Sequence, residues 1–166
     1  IDNRSIDYET YLTISNLTIR NGLSQDGGGI HILSSSSKIE NCNFINNNAG
    51  WGGGIYFSGS SIPSSLINKC LFYANNAFYI DTIPQHSGSG GAIGLGSASP
   101  IITNSTFYNN SAHNNRGSII ELHSDANATF VNSIFFNNSG DAFAHEYVSC
   151  GNNCPGLEID YSLSSY

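Results

Sequence analysis

The chain has 166 residues, a length that suits one domain, and carries a net charge of −7 with only Arg4, Arg20, Lys38, Lys69 and Arg116 as bases. These bases are scattered, which excludes the basic patch that nucleic acid or an anionic membrane needs. No apolar run approaches the roughly 18 to 20 residues of a membrane helix. Charged residues are few while Asn, Ser and Gly abound, so amides and hydroxyls rather than ions solvate the surface, as suits an extracellular β-protein. The sequence opens at Ile1, without Met, a basic n-region or an apolar h-region, and the expectation is that any signal peptide has been removed.

In chain order, Tyr8–Ile14 reads as a strand, followed by Leu17-Thr18-Ile19-Arg20 with apolar residues alternating. Two phrases then recur. The first is a glycine run: Gly27-Gly28-Gly29-Ile30, Gly52-Gly53-Gly54-Ile55, Gly90-Gly91-Ala92-Ile93 and the weaker Arg116-Gly117-Ser118-Ile119. The second is Phe-x-x-Asn, at Phe44–Asn47, Phe72–Asn75, Phe107–Asn110 and Phe135–Asn138, each with Cys42, Cys70, Ser105 or Ser133 two residues before its Phe. Residues 77–89 interrupt the spacing and read as a protruding loop. Residues 141–156 read as a second, and Leu157–Leu163 as a last strand.

Aligned on Leu17, Cys42, Cys70, Ser105, Ser133 and Ser162, the steps are 25, 28, 35, 28 and 29 residues. A unit of that size, with strand-like alternation and no helical period, predicts one coil of a right-handed parallel β-helix, built of three short strands and three turns. The whole chain, residues 1–166, then forms a single all-β solenoid domain of about six coils. Stacking at about 4.8 Å per coil predicts an interior ladder of Ile30, Ile55, Ile93 and Ile119 and another of Phe44, Phe72, Phe107 and Phe135. Asn47, Asn75, Asn110 and Asn138 end a strand at a corner, where Asn tolerates left-handed backbone and its amide bonds to the Asn above and below. Cys42 and Cys70 read as small buried hydrophobes in a ladder. Cys150 and Cys154 could close a small disulfide staple in an oxidising compartment. A metal there is disfavoured, because only His145 adds a ligand. The expectation is no cofactor and no metal.

The Gly-Gly-Ala-Ile at 90–93 and the four Phe-x-x-Asn phrases resemble the repeats of the chlamydial polymorphic outer membrane proteins. They also resemble the wider class of right-handed β-helix repeat proteins in the pectin-lyase-like superfamily, over roughly residues 12–140. The resemblance implies a surface-displayed chain, adhesive or structural. It does not extend to the C-terminal translocator barrel of those autotransporters.

Six N-x-S/T sequons occur, at Asn3, Asn16, Asn104, Asn109, Asn127 and Asn137, although a chain this rich in Asn and Ser produces sequons by composition alone. Asn109 and Asn137 lie next to the Asn corner, where burial would block modification, which leaves Asn3, Asn16, Asn104 and Asn127 as candidates. Enzymes on this scaffold cut acidic polysaccharides with clustered carboxylates. Here Asp26, Glu40, Asp81, Glu121, Asp125 and Asp141 are dispersed, which favours a non-enzymatic role. Arg116, Glu121, His113 and His123 form the densest polar group. Alternation places Glu121 and His123 on one outward face, read as a solvated face or, more sharply, as an acid–base pair. His31 and Tyr56 follow equivalent glycine runs and face outward together, so with Glu121 they could bind a glycan. Both ends read as open strands, and open solenoid ends stack. The expected function is an extracellular structural or adhesive protein assembling end to end with copies of itself. The rival is a polysaccharide lyase, hydrolase or glycan-binding module.

Overall fold

The structure, a computed structural model, describes residues 11–59, 65–78, 88–113, 116–123, 126–139, 143–145, 156–160 and 163–165. The first coil runs through β1 (Tyr11–Ser15), β2 (Thr18–Arg20), β3 (Leu23–Asp26) and β4 (Ile30–Leu33). The second repeats it as β5 (Ser36–Glu40), β6 (Asn43–Ile45), β7 (Asn48–Trp51) and β8 (Ile55–Ser58). The third has β9 (Leu66–Asn68), β10 (Leu71–Tyr73), β11 (Asn76–Ala77) and β12 (Ile93–Leu95), and the fourth β13 (Ile101–Thr103), β14 (Thr106–Tyr108), β15 (Ser111–Ala112) and β16 (Ile120–Leu122). Beyond them lie β17 (Asn127–Val131), β18 (Ile134–Phe136), β19 (Phe143–His145), β20 (Gly156–Asp160) and β21 (Leu163–Ser165).

Equivalent strands pair in parallel to make four sheets: A (β1-β5-β9-β13-β17-β20), B (β2-β6-β10-β14-β18-β21), C (β15-β11-β7-β3) and D (β19-β16-β12-β8-β4). The chain is thus an all-β right-handed parallel β-helix. It makes about four full turns rather than six, with partial turns after them, and each full coil has four strands instead of three. The additional strand resumes just past the corner at which Asn47 was expected to end a strand: Asn46 takes a positive φ, and β7 starts at Asn48.

The interior is built as ladders. Phe44 and Phe72 stack at 4.9 Å between ring centroids, and Phe72 and Phe107 at 4.7 Å with planes 1° apart. Ile39, Ile67, Ile102 and Phe130 form a parallel apolar row from sheet A, all fully buried. Cys42 and Cys70 are free and buried in the expected ladder, followed there by Ser105 and Ser133. Asn47 donates from Nδ2 to Asn75 Oδ1 at 3.0 Å, Asn75 to Asn110 at 3.0 Å and Asn110 to Asn138 at 2.9 Å. Each Nδ2 also donates to a strand carbonyl: that of Ile19, Phe44, Phe72 or Phe107.

Two expectations shift by one residue. The left-handed backbone falls not on the ladder asparagines but just before them, on Asn46, Ala74, Asn109 and Asn137. The ladder asparagines keep ordinary backbone and serve as buried hydrogen-bond relays. In sheet D, Ile30, Ile55 and Ile93 align with Ile120 rather than Ile119. The reason is Gly117, whose φ of 54° matches Gly27, Gly52 and Gly90 and sets the true start of the fourth run. Ile119 is itself fully buried, in the place of Gly29, Gly54 and Ala92.

The expected loops are shorter than read. Asn76–Ala77 is strand β11, Ser89 bridges to Trp51, and Phe143–His145 is β19. Residues 79–87, 141–142 and 146–155 of these loops, Cys150 and Cys154 among them, lie outside the described residues, as do Asn3, Asp81, Asp125, Asp141 and Ser162.

Candidate glycan-binding face

Each coil turns from sheet C into sheet D at a glycine with positive φ, between 54° and 71° at Gly27, Gly52, Gly90 and Gly117. A side chain at Gly52 would meet the Ile55 carbonyl oxygen at 2.1 Å, so the turn excludes any other residue. This tight turn sets two rows side by side on the outer surface. The row before the turn holds Asp26, Trp51, Ser89 and Arg116, aligned through backbone bonds from each following glycine. The row after it holds His31, Tyr56, Gly94 and Glu121. Two residues further on lie Leu33, Ser58, Gly96 and His123.

The third coil contributes only Ser89, Gly94 and Gly96 to these rows, and its low profile makes room for large neighbours. The Tyr56 ring lies over Gly94, whose missing Cβ would come within 3.0 Å of it, and the Tyr56 hydroxyl is beside Gly96. Trp51 reaches across the same coil to His123, with ring centroids 4.0 Å apart. Trp51 and Tyr56 sit at 5.7 Å and 57°, and His31 and Tyr56 at 5.3 Å and 34°. His31 Nε2 and Ser58 Oγ are hydrogen-bonded at 2.6 Å. The result is an aromatic surface of exposed His31 with half-buried Trp51 and Tyr56, drawn from the first two coils and reaching over the third.

The expected pairing of His31 with Tyr56 is present. Glu121 and His123 share the expected outward face, but they are not solvated: they are 1 % and 5 % exposed, and the Trp51 ring lies against His123. His113, by contrast, is exposed and Arg116 half-buried. Burial, with the carboxylate of Asp26 added to it, pushes the Tyr56 phenol up to about 12, so the hydroxyl is neutral and a donor throughout the physiological range. Glu40 lies apart on sheet A, where a hydrogen bond from Lys38 at 2.8 Å holds its carboxyl below the usual range. Among the described residues no three His, Cys, Asp or Glu side chains converge as a metal site would require.

Trp51 was not legible as a site residue, because nothing in the repeat phrase marks the position before the glycine. The available signal was that the only tryptophan stands immediately before a turn glycine, in register with Asp26 and Arg116. The sequons Asn16, Asn104 and Asn127 are exposed, but so are Asn109 and Asn137, which corrects the expectation that burial would block them. Their left-handed corner turns them outward, while the next residue turns in.

A family model described as a right-handed β-helix region matches residues 5–154. No curated protein and no solved structure matches the chain.

Proposed function

The chain belongs to the right-handed β-helix family, and from that premise we propose that it is an extracellular, non-enzymatic adhesive scaffold that binds neutral glycans through the Trp51–Tyr56–His31 surface. The observation that carries the reading is this aromatic group, supplied by the first two coils and laid over the glycines of the third. Aromatic faces with a few fixed polar groups are what a shallow sugar site needs. The Tyr56 hydroxyl, the His31–Ser58 pair and Asp26 supply the polar groups. The carboxylate of Asp26, close enough to raise the Tyr56 phenol, favours neutral over acidic sugars beside the rings and argues against the polyuronate substrates of a lyase. The surface-displayed role rests on the resemblance of the Gly-Gly-Ala-Ile and Phe-x-x-Asn phrases to chlamydial surface repeats. A glycan array probed with the wild-type chain and with Trp51→Ala tests the reading. Binding to neutral glycans that the substitution abolishes, without release of shortened products, is expected; product release would make the protein an enzyme instead.

A second reading, assembly end to end into a filament, has its own support. Leu12 and Leu17 face inward in the first coil yet are 40 % and 53 % exposed, and burying them against another coil is favourable. Filaments in negative-stain electron micrographs that shorten with Leu17→Lys would support it, and isolated particles at all concentrations would exclude it.

A further inference from the structure

Sheet B carries a surface that neither the aromatic site nor Leu12 and Leu17 of the first coil use. Its outward rows run Arg20, Ile45, Tyr73, Tyr108, Phe136 and Thr18, Asn43, Leu71, Thr106, Ile134. From the third coil onward the exposed positions of these rows are apolar or aromatic, Tyr73 and Tyr108 at 37 %, Ile134 at 48 % and Phe136 at 53 %, with Leu71 and Thr106 half-buried between them. The rings stack along the axis, Tyr73 on Tyr108 at 5.3 Å and Tyr108 on Phe136 at 5.5 Å, with planes 11° and 26° apart.

That stacking decides what the surface fits. Each ring covers the face of the next, so solvent meets a ridge of ring edges. A sugar needs an open ring face, which these stacked rings do not present. An apolar ridge suits another packed protein surface instead. Charge narrows the partner further. The chain carries −7 overall, and Glu40 lies on sheet A, Asp26 on sheet C and Glu121 on sheet D. Among the described residues, the outward rows of sheet B hold no acid, and their one charge is Arg20. Two copies that repel each other elsewhere can approach through this face without opposing carboxylates.

We propose that sheet B is a self-association surface, on which two copies of the chain pack side by side through Tyr73, Tyr108, Ile134 and Phe136. The proposal is independent of the glycan site, which lies on sheet D, and of end-to-end stacking, which uses the first coil. The exposed apolar area of these side chains is on the order of a few hundred Å² per copy, below the roughly 800 Å² per partner of a standard interface. The dimer is therefore weak and concentration-dependent.

Sedimentation equilibrium of the full chain from roughly 10 µM to about 1 mM, the range a small interface requires, is the test. The chain is produced without glycans, because Asn104, Asn109 and Asn137 border the same face. With end-to-end stacking blocked by Leu17→Lys in every sample, the average mass is expected to rise from 17.7 kDa toward twice that value and no further. Tyr108→Lys and Phe136→Lys hold it at the monomer mass while shifting Tm by no more than a few degrees, since both side chains are solvent-exposed. If either lysine variant fails to fold, Tyr108→Thr, which keeps strand preference, replaces it with the same expected loss, and Tyr108→Phe restores association. A monomer at every concentration overturns the proposal, and so does association that the lysine variants leave unchanged. Binding of the chain to phosphatidylcholine vesicles with no self-association also overturns it, and reassigns the face to lipid.

Discussion

Asn75 shows how much one side chain can carry in a stacked fold. Its Oδ1 accepts from both the backbone N and the Nδ2 of Asn47, and its Nδ2 donates to Phe44 O and Asn110 Oδ1. All of this is fully buried. Asn75→Ala removes every partner at once and leaves buried donors and acceptors in two coils unsatisfied. The expected loss is about 2–4 kcal/mol, which lowers Tm by roughly 5–15 °C in a chain of this size and is read directly in a thermal melt. Cys70 obeys the same logic of burial, which raises its thiol to about 11. The folded chain therefore holds its proton more tightly than the unfolded chain, whose thiol has the ordinary value of about 8.5. This contribution is complete below that value and is lost as pH rises toward 11. Ellman's reagent at pH 8 should leave Cys42 and Cys70 unlabelled until urea is added; labelling in the native state would contradict the ladder. Tyr56, raised to about 12 from 10.0, adds a second alkaline loss between those two values. Melts of Tyr56→Phe across pH 9–12 should fall less steeply than those of the wild type.

At the scale of the element, the coil turns and the Phe ladder depend on close approach. Gly53 has no unusual φ, yet a Cβ there would stand 2.3 Å from the Gly91 carbonyl oxygen and 2.7 Å from that of Asn76. Gly53→Ala must push two coils apart, and we expect it to destabilise the chain by more than about 3 kcal/mol and to reduce soluble yield, whereas Gly96→Ala, whose Cβ would need the Phe57 carbonyl oxygen at 3.2 Å to give by only a few tenths of an ångström, should lower Tm less. Phe107→Asp places an unpaired charge between Phe72 and Phe135, and the expected outcome is loss of the β-rich circular dichroism signal; an unchanged melt would refute the ladder. Most of these elements were legible because stacking forces like residues into like positions, so each ladder prints a recurring letter. The one-residue slip at Ile119 arose where the recurring letter was diluted: Arg116-Gly117 imitates Gly-Gly, and only the backbone at Gly117 resolves the register. The aromatic site was half legible. His31 and Tyr56 share a repeat position, but Trp51 meets His123 only because the third coil is stripped to glycine and serine, a long-range consequence that no single phrase records.

Over the whole molecule, the solenoid separates its surfaces by sheet. Sheet A carries charge, sheet B an apolar ridge, and the turn from C to D the aromatic site, each repeated or varied coil by coil without disturbing the interior. Because each coil buries its apolar face only against its neighbours, substitutions on one sheet should leave the others intact. Tyr108→Lys on sheet B is therefore expected to leave glycan binding at Trp51 unchanged, and Trp51→Ala to leave the average mass unchanged. The central claim is that the Trp51 surface receives a glycan, and the single tryptophan lies within it as a built-in reporter. The most direct measurement is therefore a fluorescence titration of the intact chain with neutral oligosaccharides, run beside Tyr56→Ala. The account predicts a saturable change in Trp51 emission that Tyr56→Ala weakens at least tenfold. Glycan binding that leaves the emission untouched, or no response to any neutral oligosaccharide, would contradict it.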